Sequence, residues 1–114
     1  MAFGTKVSFE AVREVAAASV GASYGAVGTA LIDHARLVGI NNSTDVDVYI
    51  SLDGTTDHIR VAAGGFKLYD FTTNQVTDDG FFVNVGTIFY AKRVSGAAST
   101  GTVWIEVIYA NGGV

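Results

Sequence analysis

The stretch NNSTDVDVYISLDGTTDH, residues 41–58, alternates apolar and polar side chains between two groups of turn-forming residues. Alternation with a period of two indicates a half-buried β-strand. The apolar set that should face the core is Val46, Val48, Ile50 and Leu52, and the polar set that should face solvent is Asp47, Tyr49, Ser51 and Asp53. The residues before and after the strand, 41–43 and 53–54, are typical of turns. We therefore predict a strand that ends in a hairpin turn, with Gly54 at positive φ.

Further short runs of the same kind flank this strand. Residues 59–62 should return antiparallel to it across the turn at 53–57. The other strands are predicted at 35–40, 66–71, 81–85, 88–94 and 102–109, separated by segments that include the polar loops 72–80 and 95–101. Short strands with turns about every eight to twelve residues are typical of a β-sandwich or a small barrel.

Residues 6–20 are ambiguous, because Val7 and Phe9 alternate as in a strand whereas Glu10, Glu14 and the following alanines would suit a helix. The glycines that follow would interrupt a helix, so we interpret residues 1–20 as an extended N-terminal arm or first strand. The predicted fold is all-β. Residues 1–114 should form a single antiparallel β-sandwich domain, Ig-like or jelly-roll-like, of about seven or eight short strands with that arm.

Composition narrows the classes of function. The chain of 114 residues has no cysteine, which excludes disulfides, thiolate metal sites and a cysteine nucleophile. Seven Lys and Arg against eleven Asp and Glu give a net charge of -4 without a basic run, so nucleic acid is not expected as a partner. Charged residues make up 16% of the chain, below the usual share of about 25%. Some apolar surface should therefore be buried against another chain.

Neither an export signal nor a membrane span is predicted. Charged residues interrupt the N-terminal stretch where a secretory signal needs an apolar run. Residues 15–32 carry no charge, but alanine, glycine, serine and threonine lower their hydropathy below what membrane insertion requires. The chain is therefore expected to be made in the cytoplasm and to stay out of the membrane.

Two arrangements of polar residues could carry chemistry, and neither matches a known motif. Ser51, Asp57 and His58 lie close enough in sequence to suggest a hydrolytic triad, but no nucleophile elbow surrounds the serine. Carboxylates that calcium could use are found at Asp45, Asp47, Asp53 and Asp57, and separately at Asp78 and Asp79. Their spacing fits no calcium loop. We expect no enzyme, no metal ion and no cofactor.

Aromatic residues offer a third possibility. A platform on which sugars stack could be formed by Tyr49, Tyr69, Tyr90 and Trp104. Interfaces between proteins use the same residue types. The last predicted strand also has two apolar faces, because Trp104 and Ile108 alternate with three inward aliphatic residues. We therefore predict an interface with another protein that includes Tyr49, Tyr69, Trp104 and Ile108.

Four segments of the chain resemble small virion structural proteins of tailed bacteriophages: NNSTDVDVYISLDGTTDH, VAAGGFKLYDFTTNQ, FFVNVGTIFYAKRV and TGTVWIEVIYA. In order, the similarity runs through an N-x-T-D-x-D-V strand, an S-x-D-G hairpin, an A-G-G-F strand ending in Asp70, a G-T-x-x-Y strand and a closing aromatic strand. It covers about residues 12–110, and none of these motifs is catalytic.

The resemblance implies a β-sandwich accessory protein of the virion, which docks in symmetric copies as a head decoration or at the neck or collar. The partners it implies are copies of the same chain and other virion proteins, such as capsid, portal, neck or tail proteins, without nucleic acid or membrane. The alternative is a ligand-binding or adhesive β-sandwich domain that recognises a glycan or a host surface.

Overall fold

The computed structural model describes residues 6–70 and 83–111, which form two antiparallel sheets packed against each other. The strands are β1 (Lys6–Phe9), β2 (Arg13–Ala16), β3 (Gly25–Ala26), β4 (Ala35–Asn42), β5 (Val48–Ser51), β6 (Ile59–Val61), β7 (Phe66–Asp70), β8 (Tyr90–Arg93) and β9 (Thr102–Asn111). The five-stranded sheet has the order β1-β9-β4-β7, with β2 also paired to β9, and the four-stranded sheet has the order β3-β8-β5-β6. The predicted all-β sandwich is confirmed.

The core lies between the two sheets and is built from alternate residues of the longest strands. The inward residues of β9 are Val103, Ile105 and Val107, all fully buried. β4 places Ile40 directly opposite Ile105, and Ile50 of β5 is fully buried on the other sheet. The alternation in residues 46–52 and 102–109 therefore predicted the inward faces of β5 and β9 correctly, because burial on one side of a pleated strand selects every second residue.

The predicted hairpin is formed by β5 and β6, with Val48 opposite Val61 and Ile50 opposite Ile59. Gly54, in the turn, has a φ of 82°, as predicted. The strand is shorter than residues 46–52, since β5 spans Val48–Ser51. Val46 and Leu52 lie just outside it and still pack, partly buried, against the core.

The prediction that Ser51 faces solvent is wrong. Ser51 is fully buried, because the turn that follows folds over its hydroxyl. Ser51 Oγ accepts hydrogen bonds from the backbone N–H groups of Asp53 (3.2 Å) and Gly54 (3.0 Å) and donates one to Asp53 Oδ1 at 2.8 Å. These bonds replace water, so the serine is buried without an unsatisfied polar group.

The N-terminal segment is part of the five-stranded sheet from Lys6 onward. β1 and β2 both pair with β9, where Phe9 lies opposite Ile108 and Glu14 opposite Trp104. Of the two interpretations of this segment, an extended arm or a first strand, the structure has strands within residues 6–16, and residues 1–5 lie outside the described residues. β9 is long enough to hold both strands. With the short β3, they raise the number of strands in the described residues to nine, above the seven or eight predicted.

Other predicted boundaries hold in part. The strand predicted at 88–94 is β8, Tyr90–Arg93. Of the strand predicted at 81–85, Val83 forms a single β-bridge with Ala35, while residues 81 and 82 and the predicted loop 72–80 lie outside the described residues. In the part of the chain that the structure describes, no helix is long and apolar enough to cross a membrane.

Candidate functional site

The outward face of the five-stranded sheet carries three of the six large apolar residues that are exposed in the described part of the chain. Its outward residues are Phe9 on β1, Glu14 on β2, Leu37, Gly39 and Asn41 on β4, Phe66, Leu68 and Asp70 on β7, and Trp104, Glu106 and Ile108 on β9. We call this surface, together with Val12, the outer face. Phe9, Phe66 and Leu68 are 71%, 64% and 56% exposed. A group of large exposed apolar residues on one face is typical of a surface that binds another molecule.

The strand registers arrange the outer face in rows. One row runs Phe9, Ile108, Leu37 across β1, β9 and β4. In the row at the opposite end of the outer face, Trp104 lies between Glu14 of β2 and Asn41 of β4. The middle row has a gap, because Gly39 lies opposite Glu106 and has no side chain.

A cleft of about 220 Å³ lies in this surface and is lined by Val12, Asn41, Trp104 and Glu106. Val12 follows the break between β1 and β2 and is 52% exposed. The Glu106 carboxylate extends over β4, since a Cβ at Gly39 would lie 3.7 Å from Glu106 Oε1. An indole, an aliphatic side chain, an amide and a carboxylate therefore line one small cleft.

Two unpaired carboxylates flank Trp104. Glu14 and Glu106 are exposed, and neither has a hydrogen bond or an ion pair with another described residue. Arg13, Arg60 and Lys92 instead form ion pairs with other carboxylates. Glu14 and Glu106 therefore give the surface around Trp104 a local negative charge, which favours a ligand that carries positive charge.

The outward face of the four-stranded sheet has a different chemistry. Tyr49 on β5 lies between Arg60 of β6 and Lys92 of β8. The Arg60 guanidinium carbon is 5.9 Å and the Lys92 Nζ 5.7 Å from the centre of the Tyr49 ring. Asp47 binds Arg60 at 2.8 Å and Asp57 binds Lys92 at 3.2 Å. Because each cation already has a carboxylate, this face is a closed set of ion pairs around one aromatic ring.

Tyr24 extends this set of contacts. Its hydroxyl donates a 2.5 Å hydrogen bond to Asp57 Oδ1, and Lys92 Nζ lies 4.6 Å from the centre of its ring. Burial, followed by the hydrogen bond and the negative charge of Asp57, raises the pKa of Tyr24 above its ordinary value. The hydrogen bonds from Tyr24 and Lys92 lower the pKa of Asp57. Both shifts keep Tyr24 protonated and Asp57 ionised, so this contact is structural at neutral pH.

The structure brings together two of the four predicted interface residues. Trp104 and Ile108 lie on the outer face, on the same side of β9 with Glu106 between them. Tyr49 lies on the outward face of the opposite sheet, and Tyr69 lies opposite Val38 and packs, partly buried, against the core. Tyr90 lies opposite Ser51, away from Trp104. The four aromatic residues of the predicted sugar platform therefore do not form one surface.

Each residue of the hypothetical triad has its own hydrogen-bond partners in the structure. Ser51 closes the hairpin turn, and Asp57 binds Tyr24 and Lys92. His58 Nδ1 accepts a hydrogen bond from the backbone N–H of Leu52 at 3.0 Å. The other histidine, His34, likewise accepts one from the N–H of Val85 at 3.0 Å. Ser51 and His58 are not hydrogen-bonded to each other in the described contacts, so the arrangement lacks the step from nucleophile to base.

The aspartates of the calcium hypothesis also have separate partners. Asp45 accepts hydrogen bonds from the Ser99 hydroxyl and backbone N–H, which lower the pKa of Asp45 to about 2. Backbone N–H groups of Thr56 and Thr55 lower the pKa of Asp53. Within residues 6–70 and 83–111, no group of three or more His, Cys, Asp or Glu could hold a metal ion. Asp78 and Asp79 lie outside the described residues.

A second cavity, of about 240 Å³, lies between the sheets and is lined by Val38, Leu52, Ile59, Tyr69, Val83 and Phe89. Among the described residues that line it, all belong to the core or pack against it, and the Tyr69 phenol is the one ionisable group. It offers no arrangement of polar groups that would orient a ligand.

Comparison with protein-family models, with curated proteins and with solved structures finds no match for this chain. The cleft is therefore interpreted from its own residues. Sequence analysis identified Trp104 and Ile108 but missed Val12, Glu14, Asn41 and Glu106. The alternation of β9 placed Glu106 beside Trp104, whereas only the pairing of β2 and β4 with β9 adds the others.

Proposed function

We propose that this chain is a non-catalytic structural protein of a tailed-phage virion, which docks in several copies on a larger assembly through the outer face of its five-stranded sheet. One observation carries the docking part of the proposal: Phe9, Val12, Phe66 and Leu68, all more than half exposed, lie on one face together with Trp104. Large apolar side chains collected on one face gain free energy when a partner removes them from water.

The assignment to a virion is supported by the resemblance of residues 41–58 and the later segments to phage accessory proteins. The small fraction of charged residues, 16%, is consistent with a chain that covers part of its surface with a neighbour. Head decoration and the neck or collar are the two locations that the resemblance implies. Synthesis in the host cytoplasm followed by assembly into the particle is part of the same proposal.

The proposal is tested by the paired substitution Phe66→Ser and Leu68→Ser. Both side chains are exposed on the edge strand β7, so their removal should leave the fold intact and the melting temperature within a few degrees of wild type. Quantitative mass spectrometry of purified virions should find the wild-type chain at a fixed copy number and the variant at a strongly reduced one. The matched controls are Asp57→Asn and His58→Ala, on exposed residues away from the outer face, which should keep the wild-type copy number.

Absence of the wild-type chain from purified virions would refute the proposal. Equal copy numbers for wild type and the Phe66→Ser, Leu68→Ser variant would show that docking uses another surface. Electron microscopy of particles with and without the chain would then distinguish head, neck and tail positions by where density is lost.

The second candidate function is adhesion to a glycan. The feature that favours this alternative is the cleft. An aromatic ring beside an amide and a carboxylate, as at Trp104, Asn41 and Glu106, can stack on a sugar and bond its hydroxyls. Isothermal titration of the pure protein with oligosaccharides distinguishes the two, since only an adhesive domain would bind a sugar tightly without any virion protein.

A further inference from the structure

We infer that the cleft beside Trp104 receives a lysine or arginine side chain of the protein on which this chain docks. The inference rests on the proposed function, because it names the chemistry of the partner that the outer face binds. The inference goes beyond the proposed function because it assigns a site for one side chain of the partner and the charge of that side chain.

The first argument is the position of two carboxylates around one indole. Glu14 lies directly opposite Trp104 in the antiparallel register, where facing Cβ atoms are about 4.5–5.5 Å apart. Glu106 lies two residues further along β9, on the same side of the sheet. Neither carboxylate has a partner among the described residues. The neighbouring outward residues, Gly39, Asn41, Phe66 and Leu68, are uncharged, so none of these described neighbours neutralises the two carboxylates.

The second argument is that every lining residue suits one part of a long basic side chain. The face of a tryptophan ring is the best aromatic partner for a cation, at distances up to about 6 Å. Val12 gives the aliphatic stem an apolar surface. The Glu106 carboxylate and the Asn41 amide oxygen can accept hydrogen bonds from an ammonium or a guanidinium, and the bond to the carboxylate is the stronger because both groups are charged.

The volume and charge of the cleft favour a basic side chain over a neutral glycan. The cleft holds about 220 Å³, less than the roughly 300–1,000 Å³ of ordinary small-molecule pockets, which suits one side chain better than an oligosaccharide. A neutral sugar also gains no long-range attraction from Glu14 and Glu106, whereas a cation does.

The same carboxylates disfavour a face-to-face dimer of this chain that is centred on the cleft. A twofold interface brings the same patch of both copies together. Where the twofold axis passes near the cleft, Glu14 and Glu106 of one copy face carboxylates of the other, and juxtaposed like charges are strongly unfavourable there. The outer face therefore fits a different surface, with basic and aliphatic residues, and the copies would be arranged side by side on it.

The experiment uses Trp104 as its own reporter, since it is the only tryptophan of the chain. The full-length protein is titrated with the peptide acetyl-Val-Arg-Val-Arg-Val-amide up to about 10 mM, a range that detects weak single-site binding. The matched probe is the same peptide with citrulline in place of both arginines, which keeps the shape and removes the charge. A third titration uses the neutral trisaccharides maltotriose and chitotriose.

The arginine peptide should change the Trp104 emission saturably, and the citrulline peptide should bind several-fold more weakly. Glu14→Gln and Glu106→Gln should each weaken the arginine peptide about two- to fivefold, as expected for one exposed charge pair. Asp57→Asn removes the same charge from the other sheet and should leave the affinity unchanged. Circular dichroism of each variant verifies that it is folded.

Three results would overturn the inference: no saturable change with the arginine peptide, equal binding of the arginine and citrulline peptides, or a saturable change with a trisaccharide alone. These results can be separated from failure of the proposed function. If Phe66→Ser and Leu68→Ser lower the copy number on virions while Glu14→Gln and Glu106→Gln do not, docking stands and the basic partner is refuted.

Discussion

Arg13 and Glu10 form a buried ion pair that holds the loop after β3 onto the edge of the five-stranded sheet. Arg13 Nη2 donates to Glu10 Oε1 at 2.6 Å, and the two side chains are only 5% and 3% exposed. Arg13 also donates to the carbonyl oxygens of Thr29 (2.8 Å) and Ala30 (3.0 Å). Glu10 in turn accepts from the backbone N–H of Asp33 at 2.8 Å. The pair is thus the centre of a network that reaches across residues 29–33.

Removing one member of this pair should destabilise the protein strongly. Arg13→Met leaves a carboxylate buried without its cation, and breaking a buried pair costs about 3–5 kcal/mol. Arg60→Met breaks the exposed pair with Asp47 and should cost about 1 kcal/mol or less. Urea unfolding of both variants measures the difference. Similar losses for the two would mean that the Glu10 and Arg13 network contributes no more than a surface ion pair.

The free energy of unfolding should decrease as the pH is lowered, because Glu10 becomes protonated. Burial opposes ionisation of this carboxyl, but hydrogen bonds from Arg13 and from the N–H groups of Asp33 and Ile32, with the charge of Arg13, lower the pKa of Glu10 below its ordinary 4.5. A lowered folded-state pKa stabilises the native state fully above the unfolded pKa, and this contribution is lost as pH falls through the folded value. Melting curves from pH 7 to pH 2 should show wild type approaching Glu10→Gln below about pH 4.5. Curves that stay parallel over this range would contradict the assignment.

Asn42 should be far less replaceable than its neighbour Asn41. The fully buried Asn42 Nδ2 donates to the carbonyl oxygens of Val46 (2.9 Å) and Val61 (3.1 Å), and its Oδ1 accepts from the Thr44 N–H at 3.0 Å. Asn42→Leu leaves these groups unsatisfied, at a cost of about 1–3 kcal/mol each. Asn41→Leu, one position away on the outer face, should change the free energy of unfolding by about 0.5 kcal/mol or less. Calorimetry of the two variants provides the measurement, and equal melting temperatures would exclude this role of Asn42.

Gly101 should tolerate a side chain less well than Gly54, although both have positive φ, at 92° and 82°. A Cβ at Gly54 would meet the ring of Tyr90 at 3.3 Å, and that ring can move. A Cβ at Gly101 would collide with the backbone carbonyl of Ser43, lying 2.6 Å from its carbon. Gly54→Ala should therefore cost about 1–2 kcal/mol and Gly101→Ala clearly more, measured by chemical denaturation. The reverse order would show that the contact with Ser43 relaxes without loss.

Local sequence predicted the sandwich and its inward faces. Val48, Ile50 and the inward residues of β9 follow a period of two, which each strand carries in itself, and the Asp53 and Gly54 turn specifies its own backbone. Trp104 and Ile108 were identified for the same reason, since alternation alone places them opposite the buried residues of β9. The alanine run at 16–18 left a helix and a strand both open, and the structure divides it: Ala16 ends β2, which pairs with β9, whereas Ala17–Ser19 form a short 3-10 helix.

Tertiary pairing decided the rest. Ser51 is polar by pattern yet buried, because the turn after it supplies hydrogen bonds that no alternation reveals. The pairing of the N-terminal strands with β9 places Glu14 beside Trp104, and the pairing of β4 with β9 places Asn41 on its other side. The sequence by itself determined the inward residues of β5 and β9. Only the order and register of the strands determined which of these residues meet, because those contacts join segments far apart in the chain and depend on burying all the strands in one common core.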